Sequence, residues 1–444
     1  MPKRHKHLFE QVVSLENLFA AAHKAMRGKR GKIPVARCFG ELEKTVVGVR
    51  DDLVAGTWQP GEYFYFTITD PKEREVAAAP FRDRIVHHAL VRVLEPIFDP
   101  RFIADSYACR PGKGTHAGLA RAHQFTKRYR YCLKCDIQKY FPHIDHALLR
   151  QQIERAVGDR RVLEVIDRIL ASHTDGVAQE WSDSGDLFSV VERPRGLPIG
   201  NLTSQFFANI QLHPLDVFVK HELRVKGYLR YVDDFLLFGD DRSALKAQGQ
   251  RVREYVQSLR LRIHPDKFRL TATERGVDFV GFVVFPKGRI RLRDANVRRF
   301  VRRFKRQAWC VRTGRMELED LRQRTLSWIA HASHAQSYRL RRNIFRDIEL
   351  SGAGTPVTAG CGAARSTTTT TTCSPRTATT TIRPTRTTTS DFASPAFGQA
   401  LQPDRPERSR CTAPTAAPLR EGTRHSRAEV SIPPGKEPAP GHGK

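Results

Sequence analysis

Two adjacent acids, Asp233 and Asp234, interrupt an otherwise apolar stretch of this 444-residue chain. They lie at the centre of GYLRYVDDFLLFGDD, where β-forming residues precede and follow the pair, and this pattern predicts a hairpin with the acids at its turn. Two carboxylates between buried strands are costly unless a cation binds them. Paired carboxylates can hold two Mg²⁺ ions that activate a hydroxyl nucleophile and stabilise a leaving phosphate. The alternative is a solvated turn that binds no metal, and the choice between the two depends on the other segments of the chain.

A third acid, Asp136, ends a short predicted strand in YCLKCDIQKYF. An acid at a strand terminus can reach the hairpin acids if the two strands are neighbours in one sheet, which is a common arrangement of functional sites. Asp145 follows in the same segment, but it directly precedes His146-Ala147-Leu148-Leu149, as the N-cap of a helix does. We therefore predict that Asp136 joins Asp233 and Asp234 and that Asp145 caps a helix.

A glycine-containing turn, GLPIGNLTSQ, lies between these two acidic segments. Its glycines let the backbone approach a ligand closely, and Ser204-Gln205 open an apolar helix. The order of acidic strand, glycine turn with helix, and YVDD hairpin resembles that of a reverse transcriptase, and IGNLTSQ is most similar to the enzymes of bacterial diversity-generating retroelements. The resemblance covers roughly residues 40 to 350. It implies an α+β, right-hand polymerase fold with fingers, palm and a small helical thumb.

The resemblance also implies roles for individual residues. Two Mg²⁺ ions would be held by Asp136, Asp233 and Asp234, and Lys267 of HPDKF would meet the triphosphate or the leaving group as a further catalytic residue. The residues implied to lie against the incoming nucleotide or the template are Phe141, which would block a ribose 2′-OH, and Ile199, Gly200 and Gln205. The implied substrates are dNTPs, a template RNA and a DNA primer.

The predicted fingers contain candidate phosphate ligands. Tyr63 to Thr69 alternates as a strand does, a turn follows, and Arg74 begins the predicted return strand, so Lys72 and Arg74 lie near a hairpin tip where they could close over phosphates. The resemblance gives this role to Arg74, while Lys72 is equally consistent with a solvated charge. Arg82 and Arg84 lie at the start of the next predicted helix. Their side chains would either contact the template strand or face solvent.

The charge of the chain favours a polyanionic partner. The formal net charge is +28 and the pI is near 10.2. In NVRRFVRRFKRQ, an apolar helical stripe alternates with arginines that would face outward and grip a duplex backbone. These arginines are Arg298, Arg299, Arg302, Arg303 and Arg306.

Membrane and secretory features are not predicted. The sequence holds no apolar run long enough to span a bilayer, and its N-terminus lacks the apolar segment of a signal peptide, so we expect no membrane partner. Cys132 and Cys135 are three residues apart on a predicted strand, which sends them to opposite faces and makes a zinc site improbable. The remaining cysteines form no disulfide framework, and a reducing cytoplasmic location is expected.

The chain divides into four predicted parts. Residues 1–130 with 147–195 are expected to form the fingers, residues 131–146 and 196–288 the palm, and residues 289–350 the helical thumb. Residues 351–444 are rich in Thr, Pro and Arg and are expected to be disordered. A frameshifted end is the favoured interpretation of this tail, and a basic RNA-binding arm is the alternative.

Several functional alternatives stay open. Group II intron enzymes usually carry Gln where this chain has Ile199. An apolar residue cannot make the hydrogen bond by which Gln would discriminate between nucleotides or template bases, so error-prone copying is a hypothesis. An intron-type or a retron-type reverse transcriptase is the runner-up. A catalytically silent RNA-binding scaffold of the same fold is the alternative from another class. A small basic accessory protein is a further expected partner of the retroelement type.

Overall fold

The computed structural model describes residues 4–28, 40–69, 73–181 and 190–346. The expected tail, residues 351–444, and Lys72 lie outside the described residues. In these ranges the helices are α1 Phe9–Val13, α2 Leu15–Met26, α3 Leu42–Ala55, α4 Phe81–Phe98, α5 Thr115–Arg128, α6 His146–Glu154, α7 Arg160–Ala171, α8 Leu202–Val217, α9 Arg242–Ser258, α10 Asp294–Arg312, α11 Leu318–Ala332 and α12 Tyr338–Arg346. The strands are β1 Phe64–Ile68, β2 Arg74–Ala78, β3 Tyr131–Asp136, β4 Val177–Trp181, β5 Val190–Pro194, β6 Gly227–Tyr231, β7 Asp234–Gly239, β8 Arg269–Ala272, β9 Val277–Phe279, β10 Phe282–Val284 and β11 Ile290–Leu292.

An antiparallel four-stranded sheet forms the centre, in the order β6-β7-β3-β8. Alternation along its strands sends successive side chains to two different cores. Leu133, Cys135 and Phe235 belong to the larger core, whereas Cys132 and Leu236 belong to a second core on the other face. The prediction that Cys132 and Cys135 lie on opposite faces is therefore confirmed.

Helices cover both faces of the central sheet. Helix α9 packs on β3 and β7, and it approaches so closely that a Cβ at Gly249 would collide with Leu133. Helix α5 packs on β6 from the opposite side. Helices α4 and α8 pack on each other, and α2 packs on α4, which extends the larger core towards the N-terminus.

The outer edge of β6 is closed by an irregular segment of the chain. The backbone N–H of Tyr107 donates to the carbonyl of Arg230 at 2.9 Å, and the N–H of Arg230 donates to the carbonyl of Asp105 at 2.9 Å. Ser106 thereby forms a parallel bridge to Arg230. The backbone of the strand that leads into the acidic turn is thus hydrogen-bonded on both sides.

A second, three-stranded sheet follows the central one, in the order β11-β10-β9. Strands β9 and β10 form an antiparallel hairpin within it. Strand β11 adds to the same sheet through Phe282 opposite Leu292. Residues 290–292 thus belong to this sheet, and the helices that follow it begin with α10 at Asp294.

Helices α10, α11 and α12 pack around an aromatic core. Phe300 stacks on Trp328 with ring centroids 3.7 Å apart, and Phe304 contacts Phe345 at 5.4 Å. Val301 packs against the same cluster, as the apolar stripe of the sequence predicts. The arginines of α10 consequently occupy its other sides. None of the described helices is long and apolar enough to cross a membrane.

Candidate active site

The three predicted acids meet at one end of the central sheet. Asp136, the last residue of β3, is the register partner of Asp234, the first residue of β7. Asp233 lies in the turn between β6 and β7, and its carbonyl accepts a hydrogen bond of 3.1 Å from the N–H of Ile137. The antiparallel pairing of β3 and β7 therefore places the acids together, as the sequence predicted. Asp145 instead caps α6 by accepting from the N–H of Leu148 at 2.9 Å.

The local electrostatics disfavour three ionised acids without a counter-ion. Burial raises the pKa of Asp233 to about 6, and the neighbouring Asp136 carboxylate contributes to the rise. Burial also raises the pKa of Asp234 to about 7, against the opposing effect of Lys134. Like charges directly opposite each other on paired strands are destabilising. A bound cation would stabilise the ionised form of all three.

Two lysines contact the acids. The Nζ of Lys267 donates to Oδ1 of Asp136 at 2.6 Å, and the Nζ of Lys134 is 3.2 Å from Oδ2 of Asp234. Lys134 also donates to the carbonyl of Asp278 at 2.9 Å, which connects the acids to β9. The sequence reasoning missed Lys134. Its signal was present, because a lysine two residues before Asp136 on a strand must lie on the same face as that acid.

Arg230 supports the acidic turn from within. Val232 has a left-handed backbone with φ of 56°, which is unfavourable for a β-branched residue. The Nη1 of Arg230 donates to the carbonyl of Val232 at 3.0 Å and to Oδ1 of Asn209 at 3.2 Å. Arg230 was also missed by the sequence reasoning, although a fully buried arginine in an apolar strand always requires a partner.

A cleft of about 1520 Å³ opens beside the acids. Asp136, Asp234 and Lys267 line it together with Arg74 at the start of β2. Arg74 also lowers the pKa of Asp233 by its charge, although burial and Asp136 outweigh this effect. The hairpin of β1 and β2 therefore brings Arg74 to the cleft that holds the acids, and its role as a phosphate ligand stays a prediction.

Helix α10 forms another wall of the same cleft. Three of its predicted arginines line the cleft, and they are Arg299, Arg303 and Arg306. Arg298 and Arg302 are exposed and lie outside the lining. The sequence predicted one outward-facing set of five, whereas the helix divides them between the cleft and the outer surface.

The turn that contains Ile199 and Gly200 docks on β2 and does not line the cleft. The carbonyl of Ile199 accepts a hydrogen bond of 2.9 Å from the N–H of Ala77. Gly200 has φ of 119°, and a Cβ there would lie 2.7 Å from Cγ1 of Val76. This close approach requires glycine. The turn therefore supports the strand that begins with Arg74.

The other predicted nucleotide ligands lie around this turn. Phe141 is half-buried against the larger core, and its carbonyl accepts from the N–H of Leu197 at 3.0 Å. The side chain of Gln205, in the first turn of α8, accepts a hydrogen bond of 3.3 Å from Sγ of Cys109. Neither residue lines the cleft.

Arg82 and Arg84, the predicted template contacts at the start of α4, have partners within the protein. Arg82 pairs with Asp52 and donates to the carbonyl of Gly48 at 3.0 Å. Arg84 donates to the carbonyl of Ala79 at 2.7 Å, and burial lowers its pKa. Both side chains therefore fix the start of α4 in this structure.

The acidic end of the sheet fits divalent cations by its donors. Carboxylate oxygens are the protein ligands that Mg²⁺ prefers, and Mg²⁺ retains waters or substrate oxygens at its other positions. Oδ1 of Asp234 is shielded from solvent and has no hydrogen-bond partner among the described residues. Within those residues, no three His, Cys, Asp or Glu side chains enclose a cation site by themselves.

Comparison with known proteins connects this geometry to a family. Residues 69–284 match the family model described as "Reverse transcriptase (RNA-dependent DNA polymerase)". The chain is 27% identical over 279 residues to Protein YkfC of Escherichia coli, a match that covers 52% of this chain and 69% of YkfC. It is 27% identical over 183 residues to the group II intron-encoded protein LtrA of Lactococcus lactis, covering 40% of this chain and 29% of LtrA.

The fold is also similar to that of a telomerase from Candida albicans. That match has a TM-score of 0.38 and 14% identity, and it covers 57% of this chain and 50% of the telomerase. Of the two sequence relatives, the chain spans about two thirds of the length of YkfC and less than a third of the length of LtrA.

Proposed function

We propose, from the match of residues 69–284 to the reverse transcriptase family model, that the chain extends a DNA primer on an RNA template with dNTPs. The observation that carries the proposal is the pairing of Asp136 with Asp234 across β3 and β7, with Asp233 in the adjoining turn. Nucleotidyl transfer needs such a constellation, because the attacking and leaving oxygens must both be stabilised.

In the proposed mechanism, Asp136 and Asp233 would hold two Mg²⁺ ions, and Asp234 would help to hold them. When bound, these ions lower the pKa of the primer 3′-hydroxyl and stabilise charge on the leaving pyrophosphate. Lys267 lies 2.6 Å from Asp136 in this structure and is the proposed donor of a proton to pyrophosphate. Arg74, on the same cleft, is the proposed ligand of the triphosphate.

Nucleic acid would occupy the remainder of the cleft. Arg299, Arg303 and Arg306 on one wall can neutralise backbone phosphates of the template–primer duplex. The proposed palm is formed by the central sheet and its helices, the fingers by the β1–β2 hairpin with the N-terminal helices, and the thumb by α10, α11 and α12. Phe141 is the proposed barrier to ribonucleotides. The role of Lys72 rests on the sequence resemblance.

For the biological role we propose a bacterial retroelement enzyme, and error-prone copying for a diversity-generating element is the first candidate. It rests on Ile199 and on the IGNLTSQ segment. The backbone of Ile199 is hydrogen-bonded to Ala77 of β2, the strand that begins with Arg74. The second candidate is an intron-type enzyme, which is favoured by the similarity to LtrA. A small basic accessory protein is the proposed partner of the first candidate.

Primer extension tests the polymerase proposal. An RNA template, a DNA primer, Mg²⁺ and all four dNTPs are supplied to the wild-type chain and to Asp233→Asn. We expect extension by the wild type and its loss in the variant, with RNA affinity nearly unchanged because the substitution leaves the basic walls intact. Asp51→Asn, at an exposed site on α3, is the matched control. Extension by Asp233→Asn at the wild-type rate would refute the site, and tight RNA binding without any extension would favour a silent scaffold.

The two candidate roles predict different frequencies of misincorporation during copying. If Ile199 relaxes discrimination, Ile199→Gln lowers misincorporation, most visibly opposite template adenines, by up to about tenfold, which corresponds to about 1.4 kcal/mol. Ile199→Val keeps the side chain apolar and is the control. Accurate copying by the wild type, unaltered by Ile199→Gln, would favour the intron-type enzyme.

A further inference from the structure

A second pocket of about 770 Å³ shares no lining residue with the catalytic cleft. Its walls come from the segment after Asp136, from the end of β5 with the residues that follow it, and from the loop after α9. We call it the arginine pocket, and its charged and titratable lining residues are Lys139, His143, Asp145, Arg193, Arg195, Arg260 and Arg262.

The arginine pocket carries a strong excess of positive charge. One lysine and four arginines face a single carboxylate, that of Asp145. Asp145 is already engaged, because Arg193 donates to both of its oxygens at 2.7 and 3.1 Å and Arg260 lies 3.6 Å away. Burial alone would raise the pKa of Asp145, but the hydrogen bonds from Arg193 and Leu148 outweigh burial and lower the pKa. This carboxyl group therefore stays ionised and paired with Arg193. The positive charge of the lining therefore exceeds the charge of its one carboxylate, and this excess favours an external anion.

The Nε of Arg195 in the arginine pocket is a buried donor. The Nε of Arg195 is shielded from solvent and has no hydrogen-bond partner among the described residues. The backbone of Arg195 is fixed, because its carbonyl accepts from the N–H of Asp175 at 2.8 Å and its N–H donates to Gly176 at 3.2 Å. A shielded donor without an acceptor is unfavourable. An anionic oxygen that entered the pocket would remove this penalty.

The walls are tied to the strand that carries Asp136. The N–H of Gln138 donates to the carbonyl of Arg262 at 2.8 Å, and the N–H of His264 donates to the carbonyl of Asp136 at 2.8 Å. Asp145 and Arg195 form a further antiparallel bridge across the pocket. At about 3.3 Å per extended residue, Gln138 lies about 7 Å from Asp136 along the chain. The arginine pocket is therefore preformed and adjacent to the catalytic acids.

We propose that the arginine pocket binds backbone phosphates of the RNA, as a second anion site outside the catalytic cleft. The inference rests on the proposed polymerase function, which supplies the RNA. Guanidinium groups match phosphate oxygens in pairs, and several of them suit consecutive phosphates of one strand. Lys139, Arg260 and Arg262 are exposed at the rim, where a strand can continue beyond the pocket. Pyrophosphate has the same chemistry and is the other source that the test must separate.

RNA binding as a function of salt provides the test. The logarithm of the binding constant falls with the logarithm of salt concentration in proportion to the phosphates neutralised, with a slope of about 0.7 per contact for a single strand. Fluorescence anisotropy with a single-stranded RNA would be recorded for wild type and for Arg260→Gln/Arg262→Gln. We expect the variant to bind RNA about tenfold more weakly, with a slope smaller by about 1 to 2. Arg260→Lys/Arg262→Lys keeps the charge and should keep the slope.

The matched control removes two arginines elsewhere. Arg50→Gln/Arg160→Gln has the same loss of charge at exposed positions on α3 and α7 and should keep the wild-type slope. If the arginine-pocket variant has the same slope and affinity as this control, the inference is overturned. If it loses instead the inhibition of extension by added pyrophosphate, with RNA binding unchanged, the assignment to RNA is wrong.

The binding measurement is independent of catalysis. If the wild type extends no primer but Arg260→Gln/Arg262→Gln still has a smaller slope than the control, the polymerase proposal fails while the arginine pocket is supported. If the wild type extends a primer and the slopes of variant and control agree, only the arginine pocket fails.

Discussion

Arg230 and Asp216 form an ion pair in the interior, where both side chains are 0% exposed. The Nε and Nη2 of Arg230 donate to the two carboxylate oxygens of Asp216 at 2.8 and 2.7 Å. Tyr228 donates to Oδ1 of the same carboxylate at 2.7 Å. Because Arg230 also holds the carbonyl of Val232, this pair fixes the strained turn that carries Asp233.

We expect Arg230→Lys to fold and to lose at least about tenfold in kcat. Lysine keeps the charge but cannot bind both oxygens of Asp216 and the carbonyl of Val232 together. Single-turnover primer extension and urea unfolding would measure the two effects. Wild-type turnover by Arg230→Lys would show that the turn holds its shape without the guanidinium group.

Removing one partner of the pair should affect stability far more than removing both. Arg230→Met leaves the Asp216 carboxylate buried alone, and we expect a loss of about 3–5 kcal/mol in the free energy of unfolding. Arg230→Met/Asp216→Leu should recover most of this loss but not the activity. Recovery of activity in the double variant would contradict a positioning role for Arg230.

Lys267→Gln should reduce kcat by about 10²- to 10⁴-fold if this lysine protonates pyrophosphate. Lys267→Arg keeps a positive charge next to Asp136, but arginine does not release its proton, so it should restore dNTP binding and not turnover. Pre-steady-state incorporation of one dNTP separates these effects. Lys44→Gln, at an exposed site on α3, is the control. A Lys267→Gln variant that changed only KM would indicate a purely electrostatic role.

Gly200→Ala should disturb the support of β2. The added Cβ would meet Val76, and the φ of 119° is unfavourable for alanine, so we expect a loss of about 1–3 kcal/mol in stability. Displacement of β2 would also move Arg74 and raise the KM for dNTP. Gly112→Ala is the control, because Gly112 also has a positive φ but no atom lies within 4 Å of the added Cβ. Equal effects of both substitutions on KM would argue against the coupling to Arg74.

His87 should make the fold sensitive to acid. It lies in α4, 1% exposed, and burial, with the nearby charges of His88 and Arg84, lowers its pKa to about 3. Because the folded pKa lies below the unfolded value of about 6.5, this contribution to stability is complete above pH 6.5 and is lost as pH falls towards 3. At pH 5 the loss is about 2 kcal/mol.

Urea unfolding at pH 7.5 and pH 5 checks the effect of His87. His87→Leu should lose less stability than the wild type between these two pH values, by about the same 2 kcal/mol. His221→Leu, at an exposed position, should behave as the wild type. An identical acid response of wild type and His87→Leu would remove His87 as the cause.

The elements around the acids could be predicted because burial enforces periodic patterns. The alternation in β3 and the apolar, β-forming runs of β6 and β7 identified the strands, and the position of Asp136 at a strand end placed it near the other two acids. The pairing of Arg230 with Asp216 could not be predicted, since it depends on tertiary packing that brings two distant segments together. Strand β11 has three residues, too few for an alternation to be recognised. The division of the α10 arginines likewise depends on how that helix docks.

The segment that closes the edge of β6 has a consequence for the behaviour of the protein in solution. A free strand edge offers a row of unpaired N–H and C=O groups to other chains, and it is a common starting point of aggregation. Here the backbone of Asp105 and Tyr107 occupies that row at Arg230. The strand that leads into the acidic turn can therefore be strongly apolar without pairing with a strand of another molecule. If residues 105–107 moved away, the unpaired backbone groups of β6 would become available for aggregation beside the three acids.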